Sequence, residues 1–260
     1  MRVLSIDVDY MMDVSISNDD NAFTGWEDWW DNRKEYVNDY PKPNLDSILF
    51  MHNLYTKALK YCHDVEFAYD HDAILYRLEN ENDLEIINLD HHNDVSNGPK
   101  SWPGGNEFTS LEEDIGAMEN EYDEFVKNDR VMEGNWLGWL YARNKIKNST
   151  WLYNHNDIDN ENGIEAFEKW RRKKYGEKYS SSHIDNFKLE NYRFDYIFVC
   201  LSPQYIPPQY WHYFTMMMIS YQNATGKPLK MINRKYEITA RYRAMNKYIQ
   251  PMLKYNAKTN

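Results

Sequence analysis

Short apolar runs that stop at acidic, histidine-bearing turns recur along this chain. Val3-Leu4-Ser5-Ile6 leads into Asp7-Val8-Asp9, and Val65-Glu66-Phe67-Ala68-Tyr69 leads into Asp70-His71-Asp72. Leu84-Glu85-Ile86-Ile87 leads into Asn88-Leu89-Asp90-His91-His92-Asn93-Asp94. Each run has strand length and composition. The pattern predicts strands over 3–9, 65–69 and 84–89, another at Thr150-Trp151-Leu152-Tyr153, and a strong late one over 196–201. Helical signals separate them. Thr24 caps a Trp-rich stretch, Leu45 to Tyr61 has helical spacing, and Ala73 to Leu78 continues the second strand as a helix. Ser110-Leu111-Glu112-Glu113 reads as a capping box opening a helix through Phe125. Residues 163–178 read as a basic amphipathic helix, Trp211 to Tyr221 as a Met-rich one, and Tyr236 to Leu253 as a mixed-charge one. Alternating strands and helices predict an α/β fold, a three-layer α/β/α arrangement on a mostly parallel central sheet. No internal repeat or linker divides the chain, so a single domain over 1–260 is expected.

The polar ends of these strands carry the candidate chemistry. On an extended chain, alternation puts Asp7 and Asp9 on one side, and likewise Asp90, His92 and Asp94. Parallel sheets build their sites at the carboxyl ends of strands. Asp7, Asp9, His71, Asp90, His92 and Asp94 together form a ligand set that suits two divalent ions sharing bridging carboxylates. Any one of these stretches alone also reads as a solvated acidic turn. In Glu133-Gly134-Asn135-Trp136-Leu137-Gly138 the glycines suggest close backbone approach. Cys200, in mid-strand, reads as core, and Arg171-Arg172-Lys173-Lys174 as a solvated helix face.

Composition narrows the function. The formal net charge is −11, which repels phosphate backbones, argues against nucleic acid and favours a cationic substrate. The 22 Tyr, 9 Trp and 10 Phe offset a hydrophobic content of 42%. Cys62 and Cys200 form neither a disulfide framework nor a CxxC pair, which fits a reducing cytosol and a cytoplasmic location. No apolar run has membrane-spanning length, and the N-terminus lacks a signal-peptide core.

With these residues in place, the chain resembles the arginase (ureohydrolase) superfamily, most closely its divergent peptide-arginase branch. Tyr69-Asp70-His71-Asp72 is similar to the family's Gly-Gly-Asp-His-Ser segment. Asp90-His91-His92-Asn93-Asp94 is similar to Asp-Ala-His-x-Asp, and Ser5-Ile6-Asp7-Val8-Asp9 to Ser-x-Asp-x-Asp. Residues 133–138 faintly resemble the pocket-lining Ser-Gly-Asn-Leu-His-Gly loop. The order differs: the last strand motif of arginases comes first here, as in a permuted chain.

The resemblance implies two manganese ions. One takes His71, Asp90, Asp94 and Asp7; the other takes His92, Asp90, Asp7 and Asp9, with Asp90 and Asp7 bridging. It implies metal-assisted hydrolysis of a guanidinium, with an arginine-containing peptide or small guanidine as substrate and urea as product. Asp94, as a ligand, is also expected to accept a hydrogen bond from the nucleophile. The family's proton-shuttle histidine falls near Leu137, leaving His155 or His91 for that role. Glu133 is the candidate for the guanidinium, with Asn135 and Trp136 beside it. Two other readings stand next to this one: a metal-dependent amide deacylase, and a non-enzymatic interaction protein with aromatic and acidic surfaces.

Overall fold

The computed structural model describes residues 1–12, 43, 45–54, 58–59, 61–95, 134–153, 175–188, 192–203, 206 and 208–232. The six strands are β1 (Arg2–Asp7), β2 (Val65–Ala68), β3 (Leu84–Leu89), β4 (Ile146–Tyr153), β5 (Tyr179–His183) and β6 (Tyr196–Cys200). They form one sheet in the order β2-β6-β1-β3-β4-β5. Every pairing is parallel. The described helices are α1 (Leu45–Leu54), α2 (Leu75–Leu78), α3 (Trp136–Ala142) and α4 (His212–Thr225).

The three central strands read as near-continuous apolar runs because both of their faces are covered. Leu4 and Ile6 of β1, Ile87 and Leu89 of β3, and Ile197 and Val199 of β6 point to one face. There they pack with Met51 and Leu54 of α1 and with Phe214, Met217 and Met218 of α4. Val3, Ile86, Tyr196, Phe198 and Cys200 point to the other face, against Leu75 and Leu78 of α2 and Trp136, Trp139 and Leu140 of α3. The expected α/β layering, helix on sheet on helix, is therefore present. None of the described helices is long and apolar enough to cross a membrane.

Register places the site. Ser5 lies beside Asn88 of β3 and Phe198 of β6, and Asp7 lies beside Cys200. By alternation Ser5, Asp7, Asn88 and Cys200 share the α2–α3 face. A wedge of polar side chains thus replaces apolar core at the carboxyl end of the central strands. Viewed along the sheet, the chain moves from β1 to one edge at β2, crosses to β3, β4 and β5, and returns to β6. The wedge sits where that direction reverses, the usual place for a site in an open α/β sheet.

Several boundaries differ from the sequence expectation. β1 stops at Asp7, and Val8–Met11 forms a 3-10 turn, because the Asp7 carboxylate accepts the N–H of Asp9 and caps it. β3 spans Leu84–Leu89 as expected, and a similar contact ends it: Asp90 Oδ1 accepts the N–H of His92 at 2.7 Å and bends the chain. β4 begins four residues earlier than expected, at Ile146 rather than Thr150. β5 was not expected at all. At the end of the helix expected over 163–178, Gly176–Lys178 forms a 3-10 turn, where Gly176 adopts φ +62°, a left-handed conformation suited to glycine. The Trp-rich segment after Thr24, the 110–125 helix, most of the 163–178 helix, the 236–253 helix, Glu133 and His155 lie outside the described residues.

Candidate metal centre

The site is assembled from one strand end and from the turns that follow three strands. Asp7 is the last residue of β1, and Asp9 follows in its 3-10 turn. His71 opens the 3-10 turn after β2. Asp90, His92 and Asp94 belong to the bends after β3, with Asp94 at φ +55°. The alternation expected for these residues is therefore corrected, since hydrogen-bonded turns set their directions. A non-glycine residue held at positive φ stores backbone strain that its surroundings must enforce. Asp94 is fixed by Asn88 Nδ2 and Trp136 Nε1, which donate to its Oδ2 at 3.0 and 2.7 Å, and by Gly138 N–H, which donates to its carbonyl at 3.1 Å.

His71 is the hub. Its ring is fully buried between Phe198, stacked at 5.9 Å, and Trp136 at 5.0 Å. Nε2 shares a 2.6 Å hydrogen bond with Ser5 Oγ. Nδ1 faces Asp90 Oδ2 at 3.0 Å, Asp94 Oδ2 at 3.2 Å and Asp7 Oδ2 at 3.3 Å. It makes no hydrogen bond to any of them. One N–H cannot serve three oxygens at once, whereas one cation can satisfy three oxygens and a ring nitrogen together. With Nδ1 as the ligating atom, Nε2–H donates to Ser5 and fixes the tautomer, as outer partners of metal-bound histidines do.

A second cluster adjoins the first. His92 Nδ1 lies 3.2 Å from Asp9 Oδ2 and 3.6 Å from Asp90 Oδ1. Asp90 thus turns Oδ2 to His71 and Oδ1 to His92, the disposition of a bridging carboxylate. Ligand atoms of His71, Asp90 and Asp94 lie within 4.8 Å of one another, as do those of Asp9, Asp90 and His92. A third such group is Asp7, His71 and Cys200. Asp7 therefore groups with His71, and the described contacts do not join it to His92.

The electrostatics fit bound cations. Asp7, Asp9, Asp90 and Asp94 are all at most 2% exposed. Among the described residues no Lys or Arg pairs with any of the four. Burying uncompensated carboxylates costs several kcal/mol each. Burial, with the charges of Asp7 and Asp90, pushes the Asp9 carboxyl well above its ordinary range. Burial and Asp90 do the same to Asp94. Burial alone would raise Asp90 too, but the imidazoles of His71 and His92 close to its two oxygens hold it well below. Burial alone would depress His71, but the acidic groups around it, Cys200, Asp94, Asp7 and Asp90, raise it. His92 rises for the same reason through Asp9 and Asp90. Opposed shifts of this kind within one buried cluster are also the pattern that functional sites use.

The remaining sequence candidates fall as follows. Trp136 is fully buried, and its indole N–H holds Asp94, which places it behind the ligands. Asn135 is 2% exposed and opens α3, its carbonyl accepting the N–H of Trp139. The His91 side chain is buried, and its backbone N–H donates to Asp9 Oδ1 at 3.4 Å. Sequence reasoning gave no role to three residues of the site. Ser5 and Asn88 were detectable as polar interruptions in apolar strands. Ser202, whose hydroxyl donates to Asp7 Oδ2 from a backbone at φ +44°, carried no such signal. Cys200, read as core, is buried in the α2–α3 core.

Trp136→Phe keeps most of the packing volume and removes the donor to Asp94. Losing a hydrogen bond that holds a ligating carboxylate is expected to weaken binding at the His71 cluster by about 10–100-fold, measured by calorimetric titration with manganese. Unchanged affinity would mean that Asp94 does not ligate.

Compared with protein-family models, curated proteins and solved structures, the chain finds no match.

Proposed function

We propose that this protein is a binuclear metal hydrolase acting on a guanidinium group, converting arginine, free or within a peptide, to ornithine and urea. The observation that carries the metal reading is the double cluster on Asp90, with one carboxylate oxygen toward each buried imidazole. The guanidinium reading rests on the motif spelling shared with arginases and on the net charge of −11. The donors fit the group: carboxylates and imidazoles suit manganese, and among the described residues no Lys or Arg balances the four carboxylates. His71, Asp7, Asp90 and Asp94 would hold one ion, and His92, Asp9 and Asp90 the other.

Bound divalent ions supply Lewis acidity and water acidified toward neutral pH. The chain's own residues do the rest. Ser5 and Ser202 orient His71 and Asp7, and Asn88 and Trp136 tie down Asp94 Oδ2. Asp94 Oδ1 is the oxygen assigned to accept the proton of the attacking water. The buried aromatic walls, Phe198 and Trp136, exclude bulk solvent from the His71 side and strengthen every charge interaction there.

The test is urea release by manganese-loaded protein from arginine, arginine-containing peptides and small guanidines, with acylated lysine and polyamine assayed in parallel. Urea release that disappears on chelation supports the proposal. Acyl release without urea would transfer the site to amide hydrolysis, and no turnover of any of these substrates would remove the enzymatic reading.

A further inference from the structure

We propose that Cys200 is a sulfur donor to the ion held at His71, so that the two halves of the centre prefer different metals. The proposal rests on the metal-centre reading above and deepens it. Cys200 ends β6 directly beside Asp7 in register and is fully buried. It therefore belongs to the polar wedge at the strand ends. Its Sγ, a ligand atom of His71 and a carboxylate oxygen of Asp7 lie within 4.8 Å of one another. Independently of the cysteine, His71 Nδ1 is a buried nitrogen without a hydrogen bond, aimed into the cluster. On one ion, a sulfur at about 2.3 Å and an oxygen or nitrogen at about 2.0–2.2 Å stand about 3.5–4 Å apart. The three donors would therefore draw in by up to about an ångström as they closed on the ion.

The bland role for Cys200 is a small core side chain packed with Phe198 and Trp136, its Sγ in a 3.3 Å contact with Ser202 Oγ. What sets it apart from Cys62 is its neighbours. Cys62, also buried, has its Sγ donating to the carbonyl of Asp64, away from the site.

The second half of the centre differs. Asp9, Asp90 and His92 offer only oxygen and nitrogen, and the His92 side chain is 32% exposed against 1% for His71. Thiolate selects zinc, cobalt or ferrous iron over manganese, whereas carboxylates accept manganese readily. The His71 half thus favours a thiophilic ion that exchanges slowly, and the His92 half a hard ion open to solvent. On binding, the Sγ–H bond breaks, the electron pair goes to the metal, and one proton is released to buffer.

The experiment loads the full chain with cobalt(II) and records its absorption spectrum and cobalt content. A sulfur-to-cobalt charge-transfer band in the near ultraviolet is expected in the wild type and in Cys62→Ser. In Cys200→Ser it should vanish while cobalt content stays the same, with zinc's advantage over manganese falling on the order of tenfold. Bound cobalt without the band in the wild type would overturn the proposal, as would a band that follows Cys62. If Cys200→Ser does not fold, Cys62→Ser decides alone, because Cys200 is then the sole thiol. Failure to bind cobalt at all would instead overturn the metal centre itself.

Discussion

Alanine at position 90 is expected to empty both halves of the centre at once. Asp90 is the residue that faces both imidazoles, with Oδ2 at 3.0 Å from His71 Nδ1 and Oδ1 at 3.6 Å from His92 Nδ1. Elemental analysis should fall from about two ions per chain to near none. Asp9→Ala, by contrast, should lose only the ion at His92, because Asp9 belongs to that cluster alone. The backbone at position 90 is anchored without its side chain. Its N–H donates to Leu152, and its carbonyl accepts the Trp151 indole N–H at 2.9 Å. Circular dichroism of Asp90→Ala should therefore remain native-like. If the variant keeps one tightly bound ion, the two clusters are independent sites and Asp90 does not bridge.

The second large effect concerns stability and pH. In the metal-free protein Asp9 and Asp94 are raised above an ordinary carboxyl value of 3.8, and His71 and His92 above an ordinary imidazole value of 6.5. A group whose folded pKa is raised stabilises the fold below its unfolded pKa, and that contribution is lost as pH rises through the folded value. All four act in the same direction. Asp90, held low, contributes above 3.8 and stays constant through this window. The metal-free midpoint should therefore decline as pH rises, first through the carboxylates and then through the histidines. Metal replaces those protons, so its apparent affinity climbs with pH. At a metal concentration of about 1,000 Kd the gain is about 4 kcal/mol. For a chain of this size that corresponds to a rise in Tm on the order of 10 °C. Thermal scans at about pH 6 and about pH 8, with and without manganese, should show the larger increment at the higher pH. An increment equal at both, or larger in acid, would mean that the ions do not displace protons from these groups.

Much of the architecture could be read from local pattern. β1, β3 and β6 are short apolar runs, and runs of that kind are what strands buried on both faces require. β5 could not be read this way. Tyr179-Ser180-Ser181-Ser182-His183 has no apolar period, and it is a strand because its backbone pairs with β4 at the edge of the sheet, where one side needs no burial. The ligand candidates were readable by residue type, yet the geometry behind them was not. Extended alternation cannot describe Asp9, His92 or Asp94, whose directions come from turns closed by side-chain hydrogen bonds.

By itself, then, the sequence determined the α/β class, five of the six strands, four of them to within two residues at either end, and a set of Asp and His placed after them. These follow from local patterns of burial and polarity, which a chain carries in its own periodicity. Only the tertiary structure decided that Asp90 faces two imidazoles, that Trp136 serves Asp94 from behind, and that Cys200 stands beside Asp7. Positions 7, 71, 90 and 200 meet because parallel strands from distant parts of the chain end side by side. That meeting is set by strand order and register, which depend on the packing of the whole sheet and leave no mark in any single stretch.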